Sequence, residues 1–239
     1  MRLSSNNIWN PSKDIPIFHL SFNTGILIDE ASLVTKWNDN VAGSTKYWGQ
    51  TTETYKPTQI IDGAAAKQWS IQFDGTDNWI SGDQLALDAE FCIGMKFVIN
   101  TATAANDVIW GDTTNGNTDS WLRINDTNTI GIKTSGAQKQ IDINEESRFN
   151  ADTLHHLVIC RNSSDLVEVW VDGSKQPNTA TSAGDLDLDS IGARGGSSAP
   201  TNFFSGNVYE YVIYDKQSDE LAKNLSEHLM SIEVQGGLG

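Results

Sequence analysis

Apolar and polar residues alternate with a period of two along much of the chain, and each alternating run stops at a cluster of Gly, Asn or Asp. Trp69, Ile71 and Phe73 alternate with Ser70, Gln72 and Asp74, and the run ends at Asp74-Gly75-Thr76-Asp77. Val167, Val169 and Val171 alternate with Glu168, Trp170 and Asp172, and Asp172-Gly173 follows as a hairpin signal. Successive side chains of a strand point to opposite faces, so this pattern predicts strands with one face in a core. Residues 208–214 are apolar at nearly every position, which predicts a strand covered on both faces. Shorter runs at 121–124, 130–133 and 141–143 lie between Gly or Asn clusters. Many short strands joined by tight turns predict an all-β, antiparallel sandwich.

One segment carries a helical period instead. Leu221, Leu225 and Leu229 recur at i, i+4 and i+8 behind Ser218, whose hydroxyl suits an N-cap, and Asp219 and Glu220 suit the unpaired N–H groups of a first turn. This predicts a C-terminal helix that lays a leucine stripe on the sandwich. No repeat, charge block or linker divides the chain, so the expected organisation is an N-terminal arm over 1–16, one domain over 17–232 and a flexible tail over 233–239.

Sixteen Lys and Arg against 31 Asp and Glu leave a formal net charge of -15. Such a field repels phosphate backbones and anionic headgroups, which argues against nucleic acid and membrane surfaces as partners. Residues 1–10 lack the apolar stretch of a signal peptide, and no run of about 18 apolar residues exists to span a bilayer. The reading is therefore a protein made in the cytosol. Cys92 and Cys160 sit inside apolar runs and not in metal-type spacings, which predicts two reduced, buried thiols in preference to a disulfide.

Several segments, taken in order, carry a family resemblance. They are Trp9-Asn10-Pro11 ahead of a strand at 17–21, Trp37-Asn38-Asp39, and above all Ile71-Gln72-Phe73-Asp74-Gly75-Thr76-Asp77-Asn78-Trp79-Ile80. Leu154-His155-His156-Leu157-Val158, Val169-Trp170-Val171-Asp172-Gly173, Ile191-Gly192-Ala193-Arg194 and Phe204-Ser205-Gly206 follow, before Tyr214-Asp215 and the Leu221 helix. Together these resemble the laminin-G-like branch of the concanavalin A-like lectin/glucanase superfamily, in particular versions found in bacteriophage structural proteins. The resemblance implies a concanavalin A-like jelly roll with one C-terminal helix. It also implies a non-enzymatic virion surface protein, such as a head decoration, fibre or tail accessory, that displays a lectin-like domain towards host or environmental glycans. Capsid or tail subunits would then be its partners, particle symmetry or homo-oligomerisation would make it multivalent, and the virion would be its location. A carbohydrate-binding module or adhesin unconnected with a particle is the alternative, and a divergent glycoside hydrolase the third.

The residues themselves narrow the chemistry. Glycoside hydrolysis needs two carboxylates at a set separation, and the Glu-x-Asp-x-x-Glu pattern of related glucanases is missing. The nearest runs are Glu168-Val169-Trp170-Val171-Asp172 and Asp185-Leu186-Asp187-Leu188-Asp189, both readable as half-exposed strand or loop. His155 and His156 are adjacent in a strand and point to opposite faces, so a packed, hydrogen-bonded pair is expected, not a shared metal. Sugar binding wants an aromatic plane beside hydrogen-bonding groups. Trp110, Trp121 and Trp170 are the candidate planes, with Asp112, Asn117, Arg123, Glu168 and Asp172 near them in sequence. Trp170 is the first choice because it shares a strand face with Glu168 and Asp172. Calcium could find oxygens at Asp112, Asn115, Asn117 and Asp119, or at Asp74 and Asp77, but turns capped by their own side chains explain the same residues. No cofactor, metal ligand or catalytic residue is assigned.

Overall fold

The computed structural model describes residues 14–21, 24–62, 68–100, 107–113, 120–135, 137–144, 146, 148–195 and 199–231. Among these, two antiparallel sheets of nine strands each face one another. The first holds β1 (Phe18–Ser21), β5 (Thr58–Asp62), β6 (Gln68–Asp74), β8 (Phe91–Ile99), β13 (Leu154–Arg161), β14 (Leu166–Val171), β15 (Ser174–Lys175), β16 (Ala180–Thr181) and β18 (Ser205–Tyr214). Its order is β15-β14-β13-β8-β18-β6-β5, with β1 added along β18 and β16 along β14. The second holds β2 (Ile26–Ile28), β3 (Val34–Asn38), β4 (Tyr47–Gly49), β7 (Ile80–Leu87), β9 (Asp107–Gly111), β10 (Trp121–Asp126), β11 (Thr129–Lys133), β12 (Gln138–Asp142) and β17 (Leu186–Ile191). Its order is β12-β11-β10-β9-β17-β7-β4-β3-β2. The expected concanavalin A-like jelly roll is what the chain forms. The arm proposed over 1–16 lies mostly outside the described residues, and the tail over 233–239 wholly so.

The alternation marks which side chains enter the space between the sheets. Ile71 and Phe73 from β6, Val167, Val169 and Val171 from β14, and Leu122 and Ile124 from β10 all join one buried cluster. At its centre Tyr211 stacks on Trp110 with ring centroids 5.1 Å apart and meets Trp48 at 5.5 Å. Each such aromatic buries a large apolar area, which makes this cluster the main source of sandwich stability. The β14–β15 hairpin turns at Asp172 and Gly173, with φ of 48° and 85°, the pair of positive angles that a two-residue turn needs and that Gly adopts freely.

The helix α1 spans Asp219–Ser231 and starts as expected, with the Ser218 hydroxyl accepting the Leu221 N–H at 3.0 Å. It covers the outer face of the first sheet across β8, β13 and β14. Leu221, Leu225 and Leu229 pack there with Val158, Trp170, Val212 and Tyr214. A Cβ on Gly94 would sit 2.9 Å from Leu225 Cδ2, so Gly94 lets the helix come this close. β18 is thus covered on both faces, as its apolar run predicted.

The cysteines depart from expectation. Cys92 on β8 and Cys160 on β13 are directly opposite in register and form a disulfide, with Cα atoms 4.2 Å apart. The two apolar runs hid this, because strand pairing between segments 68 residues apart is what brings the sulfurs together. Its place beneath α1 keeps both residues fully buried.

Candidate functional site

The residues proposed from sequence as sugar contacts do not form an open platform. Trp110 lies in the core against Tyr211. Leu122 and Ile124 point into that core, so Trp121 and Arg123 lie on the opposite, outer face of the second sheet. There the Arg123 guanidinium covers the Trp121 ring at 4.0 Å and Arg194 approaches it at 5.9 Å, leaving Trp121 only 2 % exposed. Asp112, at the end of β9, is buried. Asn117 lies outside the described residues, as do Asn115 and Asp119. Trp170 does share a face with Glu168, but that face is the one α1 covers, and Trp170 is 5 % exposed. A Trp alternating with Val reads locally as outward-facing; only the distant helix determines that outward is not solvent.

The carboxylates in the same region are occupied. Glu168 is ion-paired with Lys175 at 2.7 Å. Asp172 accepts His155 Nδ1 at 2.8 Å, His156 Nδ1 at 3.2 Å and the His156 backbone N–H at 2.7 Å. His155 Nε2 in turn lies 3.0 Å from the Asn150 N–H and 3.2 Å from the Asn150 carbonyl. Burial alone would raise the Asp172 carboxyl, but the two histidines outweigh it and hold it well below the usual carboxylate range. The expected packed histidine pair is therefore present, joined by a carboxylate from the neighbouring hairpin.

A second cluster uses the remaining two of the four histidines. Glu210 on β18, 2 % exposed, accepts His19 Nε2 from β1 and His228 Nε2 from α1, each at 2.9 Å. Lys96 from β8 lies buried nearby and donates to the Leu229 carbonyl at 3.3 Å; burial pushes its ammonium down to about 8 against an upward pull from Glu210. Both clusters tie elements together. Among the described residues no group of three or more His, Cys, Asp or Glu is placed to hold a metal ion. Asp74 Oδ1 accepts the N–H groups of Thr76, Asp77 and Asn78, so that turn is capped by its own side chain.

An accessible cavity lies elsewhere on the second sheet. Trp37 and Trp48 point into the core, so their neighbours Lys36, Tyr47 and Gly49 face outward; Ile80 likewise sends Ser81 outward. These outward residues of β3, β4 and β7 bound a cavity of about 350 Å³, with Thr51, Trp79 and Asp83 also on its lining. Gly49 and Ser81 are paired across β4 and β7 and keep the floor low. The wall is fixed by its backbone: Trp79 N–H donates to the Tyr55 carbonyl at 3.1 Å, Gln50 Nε2 to the Trp79 carbonyl at 3.4 Å, and Trp48 Nε1 to the Asp83 carbonyl at 3.2 Å. Tyr47 is 40 % exposed, and Lys36 Nζ lies 3.7 Å above its ring. Sequence reasoning missed this site because its residues come from three short segments whose outward positions carry no shared motif.

The model of the concanavalin A-like lectin/glucanases superfamily matches residues 73–220, well over half of the 239. The chain belongs to this superfamily. No curated protein sequence matches it. Among solved structures, this superfamily member is similar to the binding domain of Paraclostridial Mosquitocidal Protein 1, with a TM-score of 0.61, 14% identity, and coverage of 90% of this chain and 52% of that one. It is also similar to domain 4 of AbnA, a GH43 extracellular arabinanase from Geobacillus stearothermophilus in complex with arabinotriose, with a TM-score of 0.55, 15% identity, and coverage of 88% and 98%. A third likeness is to Trypanosoma rangeli sialidase, with a TM-score of 0.58, 12% identity, and coverage of 93% and 33%. The chain thus spans about half of the first neighbour and a third of the sialidase. At these identities the likeness is one of fold.

Proposed function

We propose that the chain is a non-enzymatic, lectin-like domain that binds a glycan in the cavity lined by Tyr47 and Trp79. The observation that carries this is a recess whose lining brings together two aromatic residues, Tyr47 and Trp79, with hydroxyl, carboxylate and ammonium groups. Sugars present apolar C–H faces and a rim of hydroxyls, and such a recess matches both. Its volume is at the small end of ordinary ligand sites, suited to one or two rings. The arabinanase domain similar in fold is complexed with arabinotriose, which supports a sugar as the ligand class. Catalysis is not part of the proposal, because Glu168 is neutralised by Lys175 and the Asp172 carboxylate is held by two histidines.

A glycan array followed by titration tests this. Trp79→Ala should weaken binding of any hit about tenfold or more, whereas Trp170→Phe, beneath the helix, should leave affinity unchanged. Equal binding by wild type and Trp79→Ala would remove the cavity from the account. The phage-type sequence resemblance supports placing the domain on a virus particle, attached to capsid or tail subunits, where symmetry would turn weak single contacts into avidity. Loss of the chain from gradient-purified particles would contradict that placement.

A further inference from the structure

We infer that the cavity selects a glycan bearing a carboxylate, such as a uronic acid, with Lys36 as the group that recognises the charge; this rests on the glycan-binding reading above. Lys36 faces outward from β3 beside the Gly49 floor. Its ammonium sits on the Tyr47 ring and forms no ion pair among the described residues. Other lysines of this acidic chain meet carboxylates: Lys56 holds Asp29 and Glu53 at 2.8 and 2.7 Å, and Lys175 holds Glu168. The aromatic ring positions the Lys36 ammonium and strips water from one side, which leaves its N–H donors for a ligand. The side chains of Ser81, Thr51 and Asp83 make no hydrogen bond among the described residues, and they suit the hydroxyls of a sugar ring.

A neutral sugar would use the hydroxyls and Asp83 and leave the ammonium idle. A sugar acid uses all of them, its carboxylate on Lys36 and its hydroxyls on the others. The ammonium–carboxylate hydrogen bond is charge-assisted and roughly twice as strong as a neutral one. The net charge of -15 does not cancel this. At physiological ionic strength, charges more than about 8 Å away are largely screened, whereas a pair in contact inside a recess is not.

Matched pairs of uronate and neutral oligosaccharides, in the gluco, galacto and manno series, are titrated against the full chain, Lys36→Gln and Trp79→Ala. The expected result is about tenfold tighter binding of one uronate than of its neutral partner. Lys36→Gln should erase that gap by weakening the acid alone, and Trp79→Ala should weaken both. Equal affinity within every pair, or a gap that persists in Lys36→Gln, overturns the acid selectivity while leaving a sugar site standing. No binding of either kind overturns the site and this inference with it. Unchanged melting of Lys36→Gln confirms that the comparison reports on recognition.

Discussion

Arg161→Met is expected to cost about 3–5 kcal/mol of stability, because it removes the donors of five carbonyl groups at once. Arg161 is fully buried at the end of β13. Nε donates to the Ala89 carbonyl at 2.7 Å, Nη2 to Leu87 at 3.2 Å and Asp88 at 2.6 Å, and Nη1 to Ser182 at 3.0 Å and to Gly184. All five N–H donors are used. They tie the β7–β8 connection to the segment entering β17, and so join the ends of both sheets to one guanidinium. Methionine fits the volume but removes all five donors, leaving the carbonyls of buried Leu87 and Ser182 without them, and orphaned acceptors dominate such substitutions. For a domain of this size the expected fall in Tm is roughly 6–20 °C. Arg161→Lys, with three donors in place of five, should recover part of it. A melting temperature within 2–3 °C of wild type for Arg161→Met would show that those carbonyls find other partners.

Glu210→Ala is the second large effect, and it depends on pH. His19 and His228 both hydrogen-bond this carboxylate, and its charge favours the buried Lys96 ammonium, so its removal weakens that ammonium's support and frees β1 and α1 from β18. Breaking a buried pair from one side costs about 3–5 kcal/mol. Burial raises the Glu210 carboxyl, but the histidine hydrogen bonds win and lower it below its ordinary value. A carboxyl lowered in the folded state binds fewer protons there than in the unfolded chain, so its contribution is present above the unfolded value of about 4.5 and lost as pH falls below it. Asp172 acts in the same direction below about 3.8. Lys96 has the opposite kind of shift. An ammonium lowered to about 8 from 10.5 disfavours folding below that range, so stability should rise as pH climbs between the two values. Denaturant titrations of wild type and Glu210→Ala at pH 7 and pH 4 measure the Glu210 contribution and its loss with acid. The difference between the two proteins should shrink at pH 4; a constant difference would mean that Glu210 contributes by packing alone.

These two sites show where the sequence stops being informative. The strands were legible because alternation is local: residues 167–173 state their own faces and their own turn, and Leu221, Leu225 and Leu229 state a helix. What lies on top of a face is not local. Trp170 reads as exposed until α1, some fifty positions later, is laid over it. Cys92 and Cys160 read as small apolar residues until the β8–β13 register sets them opposite one another. Arg161 reads as the polar end of a strand, and nothing near it in sequence announces five carbonyls from two other connections. The cavity was illegible for the same reason. Lys36, Tyr47 and Trp79 are ordinary residues separately, and they become a site only when β3, β4 and β7 pair at the edge of the second sheet.

The central claim is that the recess beside Trp79 takes up a sugar. Indole N–H resonances of the eight tryptophans, followed by heteronuclear NMR during titration with a glycan identified on the array, test it directly. The Trp79 signal should move in step with occupancy while those of Trp110, Trp121 and Trp170 stay in place. A shift confined to Trp121 or Trp170, with Trp79 silent, would contradict the account.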